Sequence, residues 1–216
     1  MMKKRLWSRW ILALAVVWPF MAAAHDRVRE KENFDFDWKF ILNADDQANA
    51  GMQVSETGWQ DVQLPHDWSI SQNFDPKLSG SNGHLPGGIG WYRKMFRVDK
   101  KDKGRRIAVL FDGIYSRSDV YVNGQHLGFR PYGFCYQEYD LTPYLNYGAE
   151  NVLAVRVNNP LEHDSVARWY TGAGIYRHAW LVKTAEVHVA SYGTYVTTPV
   201  VTAERAEVRV RTSVAN

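Results

Sequence analysis

Residues 106–129 read RIAVLFDGIYSRSDVYVNGQHLGF, and the fold follows from this stretch. Arg106 and an unbroken apolar run at 107–111 are followed by a turn-prone Asp112-Gly113. A second run at 119–122 (DVYV) then meets Asn123-Gly124, and 127–129 (LGF) returns behind it. Asn-Gly accepts positive φ at both central positions of a two-residue hairpin, so the pair predicts a strand, a tight reversal and a second strand. Outward from here the pattern repeats, with strands expected at 91–98, 152–157, 178–183, 186–190, 194–198 and 207–212. Valine–arginine alternation at 155–157 and 208–211 marks half-buried strands. No helical periodicity appears past the first two dozen residues, although LTPYL at 141–145 has room for a short helical turn. Many short strands separated by turn residues predict an all-β antiparallel sandwich or jelly roll.

The chain has 216 residues, with 45% hydrophobic and 23% charged, enough apolar material for a packed core. A single cysteine, Cys135, rules out an intrachain disulfide and a cysteine-built zinc or iron–sulfur centre. The formal net charge of +3 is carried at the front: Lys3, Lys4, Arg5 and Arg9 precede an apolar run at 10–21 and then Ala22, Ala23 and Ala24. This is the pattern of a secretory signal peptide over 1–24, too short for a comfortable membrane span. Its removal leaves 22 basic against 23 acidic residues, and with that the electrostatic case for nucleic acid disappears. Export with one thiol fits a bacterial periplasm or cell surface.

Individual chemical motifs are weak. HExxH, Walker, GxSxG and GxGxxG patterns are absent, and the seven histidines have no ligand spacing. Asp35, Asp37, Asp45 and Asp46 lack the glycine-bearing spacing of a calcium loop and read as a solvated turn. The basic run from Lys100 to Arg106 reads as a hairpin tip. Glu138, Asp140 and Asp67 are expected to cap turns and strands. Residues 69–90 are glycine-rich and aperiodic, which suggests a binding loop, a partner-facing loop or a disordered one. Beyond Thr184-Ala185 new strands begin, and residues 185–216 are too few for a seven-stranded sandwich of roughly 100 residues.

Combined motifs say more. Leu64-Pro65-His66-Asp67-Trp68, Gly90-Trp91-Tyr92-Arg93, Phe111-Asp112-Gly113 with Val120-Tyr121-Val122-Asn123-Gly124, Asn158-Asn159, and finally the run from Arg168 through Trp169 and Gly174 to Arg177 occur in that order. Together they resemble the N-terminal sugar-binding domain of glycoside hydrolase family 2, which includes β-galactosidases, β-glucuronidases and β-mannosidases. The resemblance implies a galactose-binding-like jelly roll over 25–184, with 185–216 the incomplete start of an immunoglobulin-like sandwich. In the family a (β/α)₈ barrel carries two glutamates, acid/base and nucleophile, whose carboxyl groups lie roughly 5–5.5 Å apart for retaining hydrolysis. A barrel takes about 250 residues, so this chain is expected to hold no catalytic pair and to be inactive alone.

The resemblance further implies that Asn123 and Arg168 reach the subsite for the non-reducing sugar, an amide and a guanidinium both suiting a polyol. The family's well-known β-galactosidases and β-glucuronidases carry aspartate at the Arg168 position, so an acceptor is replaced by a donor. No cofactor and no metal is assigned to this chain. The implied partners are a β-linked sugar or oligosaccharide and the catalytic barrel of the parent enzyme, with no nucleic acid; a homo-oligomer is left open. Two other readings compete: a free-standing carbohydrate-binding module without hydrolase activity, and a purely structural interaction domain.

Overall fold

The computed structural model describes residues 29–42, 46–160 and 169–216, so the expected leader at 1–24 lies outside them. Among the described residues run twelve strands: β1 (Glu30–Asn33), β2 (Trp38–Leu42), β3 (Gln60–Val62), β4 (Gly88–Arg97), β5 (Arg106–Phe111), β6 (Ser118–Val122), β7 (Gln125–Arg130), β8 (Gln137–Asp140), β9 (Glu150–Asn159), β10 (Ala179–Thr184), β11 (His188–Val201) and β12 (Ala206–Ala215). The only helical pieces among them are short 3-10 turns, one of which, Thr142–Tyr144, falls in the LTPYL stretch. The protein is an all-β sandwich. One sheet has the order β1-β10-β5-β8 and the other β3-β2-β4-β9-β6-β7. Residues 31–183 form one compact unit, and the β11–β12 pair belongs to a second.

The Asn123-Gly124 hairpin forms as its sequence requires: both residues have positive φ, 50° and 83°, and Val122 pairs with Gln125. The core lies between the two sheets. Trp38, Phe40, Tyr92, Val120, Val155 and Val157 come from the six-stranded sheet, and Ile107, Val109, Phe111 and Leu181 come from the four-stranded one. Tryptophan and tyrosine each remove a large apolar area from water, and edge-to-face geometry suits them; Trp38 and Tyr92 meet at 6.4 Å and 81°.

The long strands β4 and β9 are buried on both faces. Tyr92 and Val155 point to the main core, while their neighbours Trp91 and Ala154 point outward and are still fully buried. The outer face is covered by residues 46–59, where Ala50 and Trp59 pack on Trp91, Ala154 and Tyr121. Arg93 pins this cover. Its guanidinium donates to the carbonyls of Asn49 at 2.6 Å and Gly51 at 2.7 Å and pairs with Glu56 at 3.4 Å. A buried cation is tolerable here because its donors meet fixed acceptors.

Several expectations change. The basic run at 100–106 is not a hairpin tip, because β4 and β5 lie in different sheets and the run crosses between them. The expected strands at 186–190 and 194–198 are one strand, β11, with a register shift between Val189 and Thr194 that absorbs the break. Asp35 is buried rather than solvated, and accepts from Asn33 Nδ2, His178 Nδ1 and the Ala179 amide at 2.7–2.8 Å. Residues 69–87 are not structureless: Asp75 N–H donates to His84 O, His84 N–H to Ser79 O, and Ser69, Asn82 and Leu85 are buried. β1, β2, β3 and β8 are not among the expected strands; β2 is short but mostly apolar, while β1, β3 and β8 are short and polar and gain their strand identity from neighbours.

Candidate functional site

Three segments distant in sequence meet at the end of the sandwich where β9 finishes. They are 66–69, 113–117 and 169–176. Asp67 organises them. Its Oδ1 accepts from the amides of Ser69 and Ala173, both at 2.9 Å, and its Oδ2 accepts from the Tyr170 hydroxyl. The backbone reinforces the clamp: Trp68 N–H donates to Ala173 O at 3.1 Å, His66 N–H to Ile175 O at 2.8 Å, and Tyr115 and Gly174 exchange both amide bonds at 2.8 and 2.9 Å. Burial and the neighbouring carboxylate raise the Tyr170 pKa far above the usual tyrosine range, so its hydroxyl stays a donor.

Two glycines make the close approach possible. A Cβ on Gly174, φ 116°, falls 2.2 Å from the Tyr92 hydroxyl and 2.8 Å from the His66 carbonyl; one on Gly172, φ 73°, falls 2.8 Å from Asp67 Oδ2. The His66 imidazole shares a 2.8 Å hydrogen bond with the buried Tyr92 hydroxyl, and burial lowers its pKa. Asn159 Nδ2 donates to Gly172 O at 3.4 Å, and the Asn158 amide donates to Ser116 O at 3.2 Å.

The clamp presents aromatic faces to solvent. Trp169 is 64% exposed and Tyr170 41%. Beside Tyr115, Phe134 packs at 5.2 Å while staying 44% exposed, and Tyr132 and Tyr136 are also exposed. Exposed aromatic planes beside fixed polar groups are the chemistry that stacks on and hydrogen-bonds a sugar ring.

The structure does not bring Asn123 to this end. Asn123 closes the far end of β6, and at about 3.3 Å per residue it stands roughly 20 Å from Ser116. Its side chain serves the hairpin. Nδ2 donates to Tyr144 O at 2.7 Å and Asn151 Oδ1 at 2.8 Å, while Oδ1 accepts from the Val152 amide at 2.9 Å. Both amide hydrogens are thereby used. Arg168 lies outside the described residues, next to Trp169 in the chain. Asp140 caps a turn by accepting from the Thr142 amide at 2.9 Å, and Glu138 pairs with Arg106 at 2.8 Å. Sequence reasoning did not single out Tyr115, Tyr170 or the role of Asp67 in holding 169–176. The signal available was the motif order itself, which does not say that LPHDW and the 168–177 run touch. Among the described residues no group of three or more His, Cys, Asp or Glu is placed to hold a metal ion.

An all-β sandwich with glycine-bearing segments stapled at one end and aromatic planes left in water has the architecture of a ligand-binding domain. The model of the glycosyl hydrolases family 2, sugar binding domain, matches residues 32–185, and the chain belongs to glycoside hydrolase family 2. It is 47% identical over 191 residues to the β-galactosidase BoGH2A of Bacteroides ovatus, covering 87% of this chain and 22% of that protein. It is 34% identical over 215 residues to a β-glucuronidase of Formosa agariphila, covering 87% and 21%. Among solved structures it is similar to a family 2 member from Bacteroides cellulosilyticus, with TM-score 0.76, 41% identity and 86% and 24% coverage. A β-glycosidase from Bacteroides vulgatus gives TM-score 0.78, 34% identity and 86% and 24% coverage. The chain thus spans between a fifth and a quarter of these relatives.

Proposed function

We propose that this chain is the exported, non-catalytic N-terminal part of a β-galactosidase-like glycosidase, scaffolding the catalytic barrel and completing its sugar subsite. One observation carries the reading: 47% identity to a β-galactosidase of which the chain covers only 22%. The two carboxyl groups that retaining hydrolysis requires then belong to the remainder of such an enzyme. Export, to a periplasm or cell surface, is supported by the basic-then-apolar leader ending in Ala22-Ala23-Ala24.

Within the domain, the sugar-facing element is the segment from Arg168 into the Asp67-clamped 169–174 stretch. Arg168 supplies donors to sugar hydroxyls and Trp169 an aromatic face, while Asp67 acts as a positioning residue. Asn123 contributes by fixing the β6–β7 hairpin. The test is a chimera in which this chain replaces the matched 191-residue segment of the Bacteroides ovatus β-galactosidase. Trp169→Ala and Arg168→Ala in the chimera should each lower kcat/KM by about tenfold or more. Asn123→Ala should leave KM unchanged and lower the melting temperature. Unchanged kcat/KM in both of the first two variants, with an active chimera, overturns the subsite assignment.

A further inference from the structure

A cavity of about 400 Å³ opens between the edge strands of the two sheets, β7 of the six-stranded and β8 of the four-stranded. Its lining shares no residue with the Asp67 clamp. A volume of this size is within the range of small-ligand sites, about 300–1,000 Å³.

Its lining has a definite chemistry. Phe129 and Tyr144 line it while remaining 50% and 43% exposed, so two aromatic planes are left to water at its rim. Arg130 brings donors, Glu138 and Asp140 bring acceptors, and His126 is held through Nε2 by Asp119 Oδ1 at 2.9 Å. Arg106, which pairs with the two carboxylates at 2.8 and 3.5 Å, and Arg130 together balance them, so the site has no strong net charge. A phosphate or a uronate calls for a cationic site, which this is not. An added peptide strand calls for a long flat edge, but β8 has four residues and β7 is bulged where Val120 and Tyr121 shift register against Gly128 and His126. Aromatic planes with donors and acceptors in balance suit a neutral sugar ring, whose faces are apolar and whose edges are hydroxyls.

We propose that the β7–β8 cavity is a second saccharide site that takes a neutral sugar unit, separate from the segment at 168–174. It rests on the reading of this chain as a sugar-binding domain and not on the activity of any parent enzyme. The experiment titrates the full 216-residue chain with galactose, lactose and cellotetraose, with glucuronate as the charged control, by calorimetry and saturation-transfer NMR. At least one neutral sugar should bind with Kd of about 1 mM or tighter. Tyr144→Ala and Phe129→Ala should each weaken it about tenfold, and Arg130→Ala should weaken it as well, while Trp169→Ala should not. All four side chains lie at the surface, and melting curves verify that the variants fold. Absence of neutral-sugar binding up to about 10 mM, binding of glucuronate alone, or affinity unmoved by the three cavity variants overturns the proposal. Loss of binding in Trp169→Ala alone overturns it too, but supports the 168–174 subsite. An active chimera from which the cavity variants remove no sugar binding removes only this inference.

Discussion

Asp67 is a short acidic side chain in a motif that reads as a simple turn, yet it holds a segment more than a hundred residues further on. Hydrogen bonds to an ionised carboxylate are each worth about 1.5–3 kcal/mol, and truncation leaves the donors of Ala173 and Tyr170 stranded. Asp67→Ala should therefore lose about 3 kcal/mol in urea unfolding and speed amide exchange at 171–175 more than in β9. A uniform change in exchange would place the clamp elsewhere. His66 makes a pH-dependent contribution beside it. Burial lowers its folded pKa below the unfolded value of 6.5, so the unfolded chain binds the proton more readily. Stability should be complete above about pH 6.5 and fall as pH drops through that value toward the folded pKa. His66→Gln should flatten this part of the stability–pH curve; an identical curve would contradict the assignment.

At the scale of elements, the cover over Trp91 depends on one cation. Arg93→Met keeps the volume but leaves the carbonyls of Asn49 and Gly51 without their donor. The expected cost is about 3 kcal/mol, with Trp91 emission shifting to the red as residues 46–59 loosen. Unchanged emission would mean that apolar packing alone holds the cover. Legibility also divides by element. β5 and the β6–β7 hairpin were readable because an apolar run and Asn-Gly are local signals. β1 (EKEN), β3 (QDV) and β8 (QEYD) were not, since edge strands with polar sequences become strands only when a neighbour offers its ladder. Residues 69–87 lack periodicity because they are held by irregular hydrogen bonds within the segment, such as Ser69 Oγ to the Pro86 carbonyl, and by burial of Ser69, Asn82 and Leu85.

For the molecule as a whole, the all-β class and the family resemblance were legible in ordered motifs, while the spatial arrangement of those motifs was not. Asn123 and Arg168 stand in motifs of equal prominence, but β6 carries Asn123 away from the 169–176 segment. Strand direction relative to a site is a tertiary property absent from local pattern. Asp67, Tyr115 and Gly174 converge for the same reason, unseen until the chain folds.

The central claim is that this chain serves a β-glycosidase without performing its chemistry. Hydrolysis of p-nitrophenyl β-D-galactoside by the purified 216-residue chain, set beside the Bacteroides ovatus chimera, tests it most directly. The chain alone should show no turnover above buffer, and the folded chimera should retain kcat/KM within about tenfold of the unaltered relative. Turnover by the chain alone, or a folded but inactive chimera, would contradict the account.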